Sequence, residues 1–302
     1  IVATCPVVVA PAMHTEMWRN PATQANVATL RGRGITVLEP ASGRLTGADS
    51  GPGRMLEPAQ IAELARTVRA TGPIRHTLEG RRVLVSAGGT QENIDPVRYI
   101  GNRSSGRQGF ALAELAAQRG AQVTVVAGNT DDLPAPAGAA VVRVASTRQM
   151  REAVEARVGE ADLVIMAAAV ADYRPEREAS SKLKKGAADD ALSTLRLVEN
   201  PDILRGVVEK REAGETRAAV VGFAAETDNP LEYGKQKLQR KGADLLMVNS
   251  VAGGDVFGQP RNRGWILARD GSVTEVADGS KQVVAAQILD AAEAFLPAPL
   301  PN

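Results

Sequence analysis

The run Ser86-Ala87-Gly88-Gly89-Thr90, with Asp95-Pro96-Val97-Arg98-Tyr99-Ile100-Gly101-Asn102-Arg103-Ser104-Ser105-Gly106-Arg107-Gln108-Gly109 after it, gathers glycines, hydroxyls and an amide between an expected strand and an expected helix. The first N–H groups of a helix lack partners within it, and its dipole favours negative charge there. Ser104, Ser105 and Gly106 therefore read as an anion cradle. A capped helix after a tight turn has the same look, because serine is a common N-cap. The pattern is neither G-x-G-x-x-G nor the P-loop, and its loop is longer than either. Asn102, just upstream, can both donate to and accept from a reacting acyl group.

Three further groups point toward a polyphosphate. Asn200-Pro201-Asp202-Ile203-Leu204 reads as an asparagine N-cap with proline at the first helical position, which offers a second helix N-terminus. Lys182, Lys184 and Lys185 lie in a polar stretch, and Lys237 and Lys241 are four apart on one predicted helix face. Each of these features alone also fits a capped helix or a solvated basic face. Met166-Ala167-Ala168-Ala169-Val170-Ala171-Asp172 places small residues at the end of an apolar strand, where ligands of open parallel sheets bind and where alanines let a flat base approach the backbone. Asp172 suits a ribose hydroxyl or a metal ion held by phosphates.

The elements that must carry these residues alternate between strand and helix. Strands are expected over 82–86, 123–127, 141–144, 163–167, 219–223 and 245–248. Helices are expected over 105–119, 147–157, from 201, over 231–241 and over 280–295, with a hairpin-like pair around Asp270-Gly271. This order predicts an α/β fold with a Rossmann-like, doubly wound, mostly parallel sheet. The polar segment from Asp172 to Val198 interrupts it and reads as a lid.

Upstream, strands at 7–10 and 35–38, helices at 21–31 and 58–70 and a Gly-rich loop read as the remnant of a flavodoxin-like α/β domain. That remnant has too little surface to bury to fold well alone. The expected organisation is a fragment over 1–70, a linker over 71–79 and a main domain over 80–302. The start at Ile1, without methionine, reads as a piece of a longer protein. In that upstream part His14 suits either a ligand contact or a surface histidine, and Arg54 either an anion contact or a salt bridge.

Among 302 residues, 44% are hydrophobic and 24% charged, with a net charge of +1. This near-neutral balance gives no global pull toward nucleic acid or membrane surfaces. The lone cysteine, Cys5, excludes an internal disulfide and fits a reducing cytoplasm, and a buried structural role is expected for it.

Taken together, the segments Ser86–Gly109, Ala167–Arg174, Lys182–Lys185, Asn200–Ile203, Gly222–Thr227 and Lys237–Lys241 resemble the phosphopantothenoylcysteine synthetase half of the bacterial bifunctional coenzyme A biosynthesis proteins. The likeness runs from about Gly80 to the C-terminus. Residues 1–70 resemble the end of the flavin-dependent decarboxylase half.

The resemblance implies CTP- and Mg2+-dependent ligation of 4'-phosphopantothenate with L-cysteine through an acyl-cytidylate. It casts Lys182 as the residue that neutralises phosphate charge and Asn102 as the holder of the acyl intermediate. Met166, Ala167, Ala168 and Asp172 would contact the nucleoside. Pro201, Asp202, Ile203 and Leu204 would meet the phosphates, and Phe223, Lys237 and Lys241 would complete the CTP pocket. Family members are homodimers through this half.

Two departures stand out: His14 occupies the family's usual asparagine position, and Leu45-Thr46-Gly47-Ala48 lacks the usual cysteine. FMN belongs to the decarboxylase half, most of whose flavin site would precede residue 1, so no decarboxylase activity is expected from this chain. The competing readings on the same topology are a nicotinamide-binding oxidoreductase and a non-catalytic nucleotide-binding module. Val123–Gly128 ends in Ala-Gly, without the acidic residue the first would want.

Overall fold

The computed structural model describes residues 3–47, 49–184, 194–226, 229–250 and 261–298. The upstream unit contains β1 (Val8–Val9), α1 (Thr15–Arg19), α2 (Pro21–Gly32), β2 (Thr36–Val37), β3 (Ala41–Arg44), β4 (Ser50–Arg54) and α3 (Pro58–Thr71). β1 and β2 pair in parallel, as expected of the two short apolar runs. The supposed Gly-rich loop is instead an antiparallel hairpin, β3–β4, and the short helix α1 has no counterpart in the sequence reading.

The main unit continues with β5 (Arg82–Ala87), β6 (Gln91–Asn93), β7 (Tyr99–Gly101), α4 (Arg107–Gln118), β8 (Gln122–Ala127), β9 (Ala139–Arg143), α5 (Thr147–Val158) and β10 (Leu163–Met166). Then come β11 (Tyr173–Pro175), β12 (Leu197–Glu199), α6 (Ile203–Glu212), β13 (Ala219–Glu226), α7 (Pro230–Lys241), β14 (Leu245–Ser250), β15 (Arg261–Ala268), β16 (Val273–Ser280) and α8 (Lys281–Glu293).

One eight-stranded sheet runs β16-β15-β14-β13-β10-β5-β8-β9. The strands from β9 to β14 are parallel, and β15 and β16 add an antiparallel edge. The chain winds outward from β5 through β8 and β9, then restarts at β10 on the other side. Its direction of winding therefore reverses between β5 and β10, where a crevice opens at the C-terminal strand ends.

A parallel sheet must be covered on both faces, and alternate residues of each strand serve different cores. Val83, Val85 and Ala87 join Leu112, Leu115 and Leu289 on one face, whereas Leu84, Val126 and Val164 join Met150, Val207 and Leu246 on the other. The first core also takes in Leu38, Leu56 and Leu64 of the upstream unit. The predicted linker is likewise packed: Leu78 is buried, the Ile74 N–H donates to Thr36 Oγ1 at 3.3 Å, and Thr77 bonds Glu293. Cys5 is exposed, against the expectation of burial, because it lies ahead of β1 and outside either core. No helix among the described residues is long and apolar enough to cross a membrane.

Close approach of α4 to β5 depends on Gly109. A Cβ there would lie 2.5 Å from Ala87 Cβ and 3.2 Å from Ser86 O, with backbone rather than a flexible chain end in the way. Gly109→Ala is expected to lower stability by about 1–3 kcal/mol, seen as a lower urea midpoint at unchanged slope.

Candidate active site

The opening loop leaves β5 through Gly88, whose φ of +77° lies in the left-handed region that favours glycine. Gly89 then forms an isolated bridge with Ala169, which joins this loop to the segment after β10. Four hydrogen bonds repeat the link: Ala168 N–H to Ser86 Oγ at 3.1 Å, Ala169 N–H to Gly88 O at 2.8 Å, Thr90 N–H to Ala169 O at 3.3 Å and Ala171 N–H to Thr90 Oγ1 at 2.9 Å. Asn102 closes the seam, since its Nδ2 donates to Val170 O at 2.9 Å. The alanine-rich run is thereby held by backbone pairs at Gly88, Thr90 and Ala169 and by the side chains of Ser86, Thr90 and Asn102.

Two helix starts differ from the sequence reading. The α4 N-cap is Gly106, left-handed at φ +75° and without a side-chain cap, and its own N–H turns back to Ser104 Oγ at 3.3 Å. Gly106 is thus engaged locally, and the uncapped first-turn amides belong to Arg107, Gln108 and Gly109. At α6 the cap is Asp202, not Asn200: the Asp202 carboxylate accepts from Arg205 N–H at 3.0 Å.

Asn200 instead ties the two edges of the polar segment to the alanine run. Its N–H donates to Asp172 O at 2.8 Å and its Nδ2 to Ala171 O at 2.9 Å. Asp172 is exposed, and the segment that follows it opens as an antiparallel ladder, β11–β12, rather than an unstructured loop.

Below this seam lies a buried polar network that the sequence did not announce. Glu92 accepts from both Thr147 N–H and Thr147 Oγ1 at 2.8 Å, Thr147 meets Thr90 at 3.1 Å, and Asn200 Nδ2 reaches Thr147 Oγ1 at 3.3 Å. Polar residues inside strands and at a helix start were the available signal, and Glu92 on β6 was its strongest instance.

The remaining candidates surround β13. Met166 pairs with Gly222, the neighbour of half-buried Phe223. A Cβ on Gly222 would meet Leu204 at 2.8 Å, which seats the start of α6 against β13. Lys241 forms an ion pair with Asp202. Burial opposes the charge on Asp202, but Lys241, the Arg205 N–H and Arg240 outweigh it and hold the carboxyl below its usual range. The helix start predicted to receive phosphate therefore already carries an anion. Lys237 shares the α7 face with Lys241. Lys182 and Lys184 are exposed, whereas Lys185, Gly186 and Thr227 lie outside the described residues.

In the upstream unit Arg54 pairs with Glu57 at 2.5 Å, and His14 Nδ1 lies 3.1 Å from Asp49. His14, Glu16 and Asp49 are the one cluster of potential metal ligands found among the described residues, and all three are exposed.

Residues 78–295 match the family of DNA/pantothenate metabolism flavoprotein C-terminal domains, and residues 1–69 match the flavoprotein family. The coenzyme A biosynthesis bifunctional protein CoaBC of Mycobacterium tuberculosis (strain ATCC 25618 / H37Rv) is 52% identical over 303 residues, 98% of this chain and 72% of that protein. This chain belongs to the CoaBC family. The Mycolicibacterium smegmatis relative is 50% identical, over 98% of this chain and 73% of its own length.

A crystal structure of a CoaBC C-terminal domain aligns at a TM-score of 0.61 and 36% identity, covering 72% of this chain and 97% of that one. A Cab2 mutant in complex with phosphopantothenate-cysteine shares the fold at a TM-score of 0.56 and 17% identity, over 80% of this chain and 96% of that one. The expected α/β class and the place of the chain in coenzyme A biosynthesis accord with these likenesses.

One cation beside the α4 start titrates unusually. Lys281 opens α8, and its carbonyl accepts from Gln108 Nε2 at 3.1 Å. Burial, reinforced by the like charge of Arg107, lowers its pKa to about 8. Between about pH 8 and the ordinary lysine value near 10.4, the unfolded chain binds the proton that the folded one has released, so this group makes stability rise with pH. Below that window the cost of burying the charge is fully present. Lys281→Met is expected to raise Tm at pH 7 and to flatten the rise between pH 8 and 10, as measured by thermal melts of both proteins across that range.

Proposed function

We propose that the main unit is a phosphopantothenate–cysteine ligase that uses CTP. The observation that carries this reading is the Gly89–Ala169 seam, which brings the loop bearing Asn102 and the α4 start against the alanine run at the sheet's switch point. Such a crevice suits a nucleotide: small residues admit the base and sugar, uncapped amides of α4 face the anionic end, and lysines supply positive charge.

A carboxylate is a poor electrophile, so the 4'-phosphopantothenate carboxylate first attacks the α-phosphate of CTP, releasing pyrophosphate and forming an acyl-cytidylate. The cysteine amine then displaces CMP, leaving the amide. Lys182 balances charge on the phosphates during the first step. Asn102, steadied by one Nδ2 hydrogen on Val170 O, has its second Nδ2 hydrogen to donate to the acyl oxygen in the second. Met166, Ala167 and Ala168 line the nucleoside side, and Phe223 and Lys237 the far wall.

Phosphate at the α6 start, over Pro201–Leu204, requires Lys241 to turn from Asp202 to the ligand. The exposed Asp172 carboxylate fits the sparse donor set that Mg2+ takes when substrate phosphates complete its shell. Mg2+ would supply charge neutralisation there.

The FMN of the decarboxylase half is a different matter. The described upstream residues provide two parallel strands of two residues each, too little of the strand edge on which such folds hold a flavin. Exposed Val97 and Tyr99 beside β7, together with Tyr173 and Leu197 on β11 and β12, support a homodimer formed through this half.

With CTP, 4'-phosphopantothenate and Mg2+, pyrophosphate release is expected as a single burst without L-cysteine and as continuous turnover with it, and phosphopantothenoylcysteine is expected only when all three substrates are present. Lys182→Ala is expected to lower the rate about 10²-fold, the scale of losing one charge-stabilising donor. A rate unchanged within a few fold would remove Lys182 from the chemistry. Reduction of a nicotinamide, in place of pyrophosphate release, would replace the ligase reading altogether.

A further inference from the structure

Asp95 is buried, lies outside the seam described above, and has all its acceptor positions in use. Its Oδ1 accepts from Val97 N–H and Arg98 N–H, each at 2.8 Å, which shapes the turn between β6 and β7. The same turn is closed by Ile94 N–H to Arg98 O at 2.8 Å. Oδ2 does something the turn does not need: besides Arg98 Nη1 at 2.9 Å, it accepts from Leu183 N–H at 3.2 Å.

That N–H belongs to the peptide group joining Lys182 to Leu183. On its other side, Leu183 O accepts from Arg98 Nη1 at 3.4 Å. Two earlier attachments lay the same strand of chain along the turn: Ala179 N–H to Ile94 O at 2.9 Å and Asn93 Nδ2 to Glu178 Oε1 at 2.9 Å. A single hairpin therefore leads through β7 to Asn102 at one end and grips the backbone next to Lys182 at the other.

We propose that Asp95 is a positioning residue for the ligation, holding the Lys182–Leu183 peptide so that Lys182 is presented to the site before substrate arrives. Lys182 is itself exposed on a polar segment, and a long side chain on a loose backbone would have to be ordered during binding. Gripping the main chain removes the backbone part of that cost while leaving the ammonium to meet phosphate. Burial works against the charge on Asp95, but the N–H groups of Val97, Leu183 and Arg98 and the Arg98 guanidinium prevail, so the carboxyl stays below its usual range and remains an acceptor throughout neutral pH. The proposal rests on the ligase reading, which gives Lys182 its role.

Asp95→Asn is the discriminating change. An asparagine keeps an acceptor for the turn amides but sets an NH2 group opposite the Leu183 N–H, where two donors cannot bond. Hydrogen exchange read on peptides spanning 178–184 is expected to speed at least tenfold in the variant, with β5 and α4 unchanged. Pyrophosphate release is expected to fall about tenfold in Asp95→Asn, but less than twofold further when the change is made in Lys182→Ala, because the two residues act as one unit.

Unchanged exchange in 178–184, or a tenfold loss in both backgrounds, overturns the positioning role while leaving the ligase reading intact. Full activity of Lys182→Ala overturns the positioning role by removing Lys182 from the chemistry, whereas absence of pyrophosphate release from the unsubstituted protein overturns the ligase reading itself. Loss of protection throughout β5 and α4 would show Asp95 to be only a folding residue.

Discussion

The meeting of β5 and β10 at the middle of the sheet governs the rest of this molecule. They are neighbours in the sheet although the chain between them builds β8, β9 and two helices, and the loops leaving their ends must diverge to opposite faces. Divergence opens a crevice whose walls would be poorly fixed if each loop stood alone. The Gly89–Ala169 bridge and the hydrogen bonds around it bind the walls to each other through backbone groups. Small residues are required along this line because larger side chains would hold the two main chains apart.

Buried polar groups reinforce the same seam from below. Thr90, Glu92 and Thr147, with half-buried Asn200 beside them, satisfy one another and the loop backbone, so desolvating them is offset by bonds that depend on this arrangement of the loops. The chemistry above therefore rests on a rigid base, and Asp95 extends that rigidity to the segment bearing Lys182. The α6 start has a contrasting character. Asp202 and Lys241 neutralise each other there, so a phosphate at this helix start would have to compete with an existing partner.

The upstream unit is joined to the main one by burial and by polar contacts of its own. Gln60 Nε2 donates to Glu114 Oε1 at 2.6 Å, and Glu39 and Gln118 exchange bonds at 2.8 and 3.2 Å. Burial pushes the Glu114 carboxyl up, against the lowering effect of its hydrogen bonds from Gln60, Gln282 and the Ala137 backbone. These contacts fall on α4, the helix whose first turn faces the crevice. Residues 1–70 enclose only a small core of their own, around Trp18, Val27 and Val37, and their Leu38, Leu56 and Leu64 share the larger core with α4 and α8.

Alternating apolar strands and helices, punctuated by glycine, made the doubly wound sheet legible from the sequence, as burial on both faces leaves continuous apolar runs at β5, β8 and β10. The residue types of the candidate site were legible only as a set: glycines, serines and alanines gather after β5 and β10, and lysines lie in the polar segment and on α7, each group alone fitting an ordinary cap or solvated face. Tertiary structure decided how those types are used. Gly106 spends its N–H on Ser104, Asp202 rather than Asn200 caps α6, and Asn200 bridges to Ala171, because each choice depends on which carbonyl or hydroxyl lies within 3.5 Å. Partners far apart in sequence, such as Asp95 and Leu183, leave no periodic trace along the chain. Local pattern can specify where a strand ends, but hydrogen-bond partnership between loops is set by the fold that brings them together.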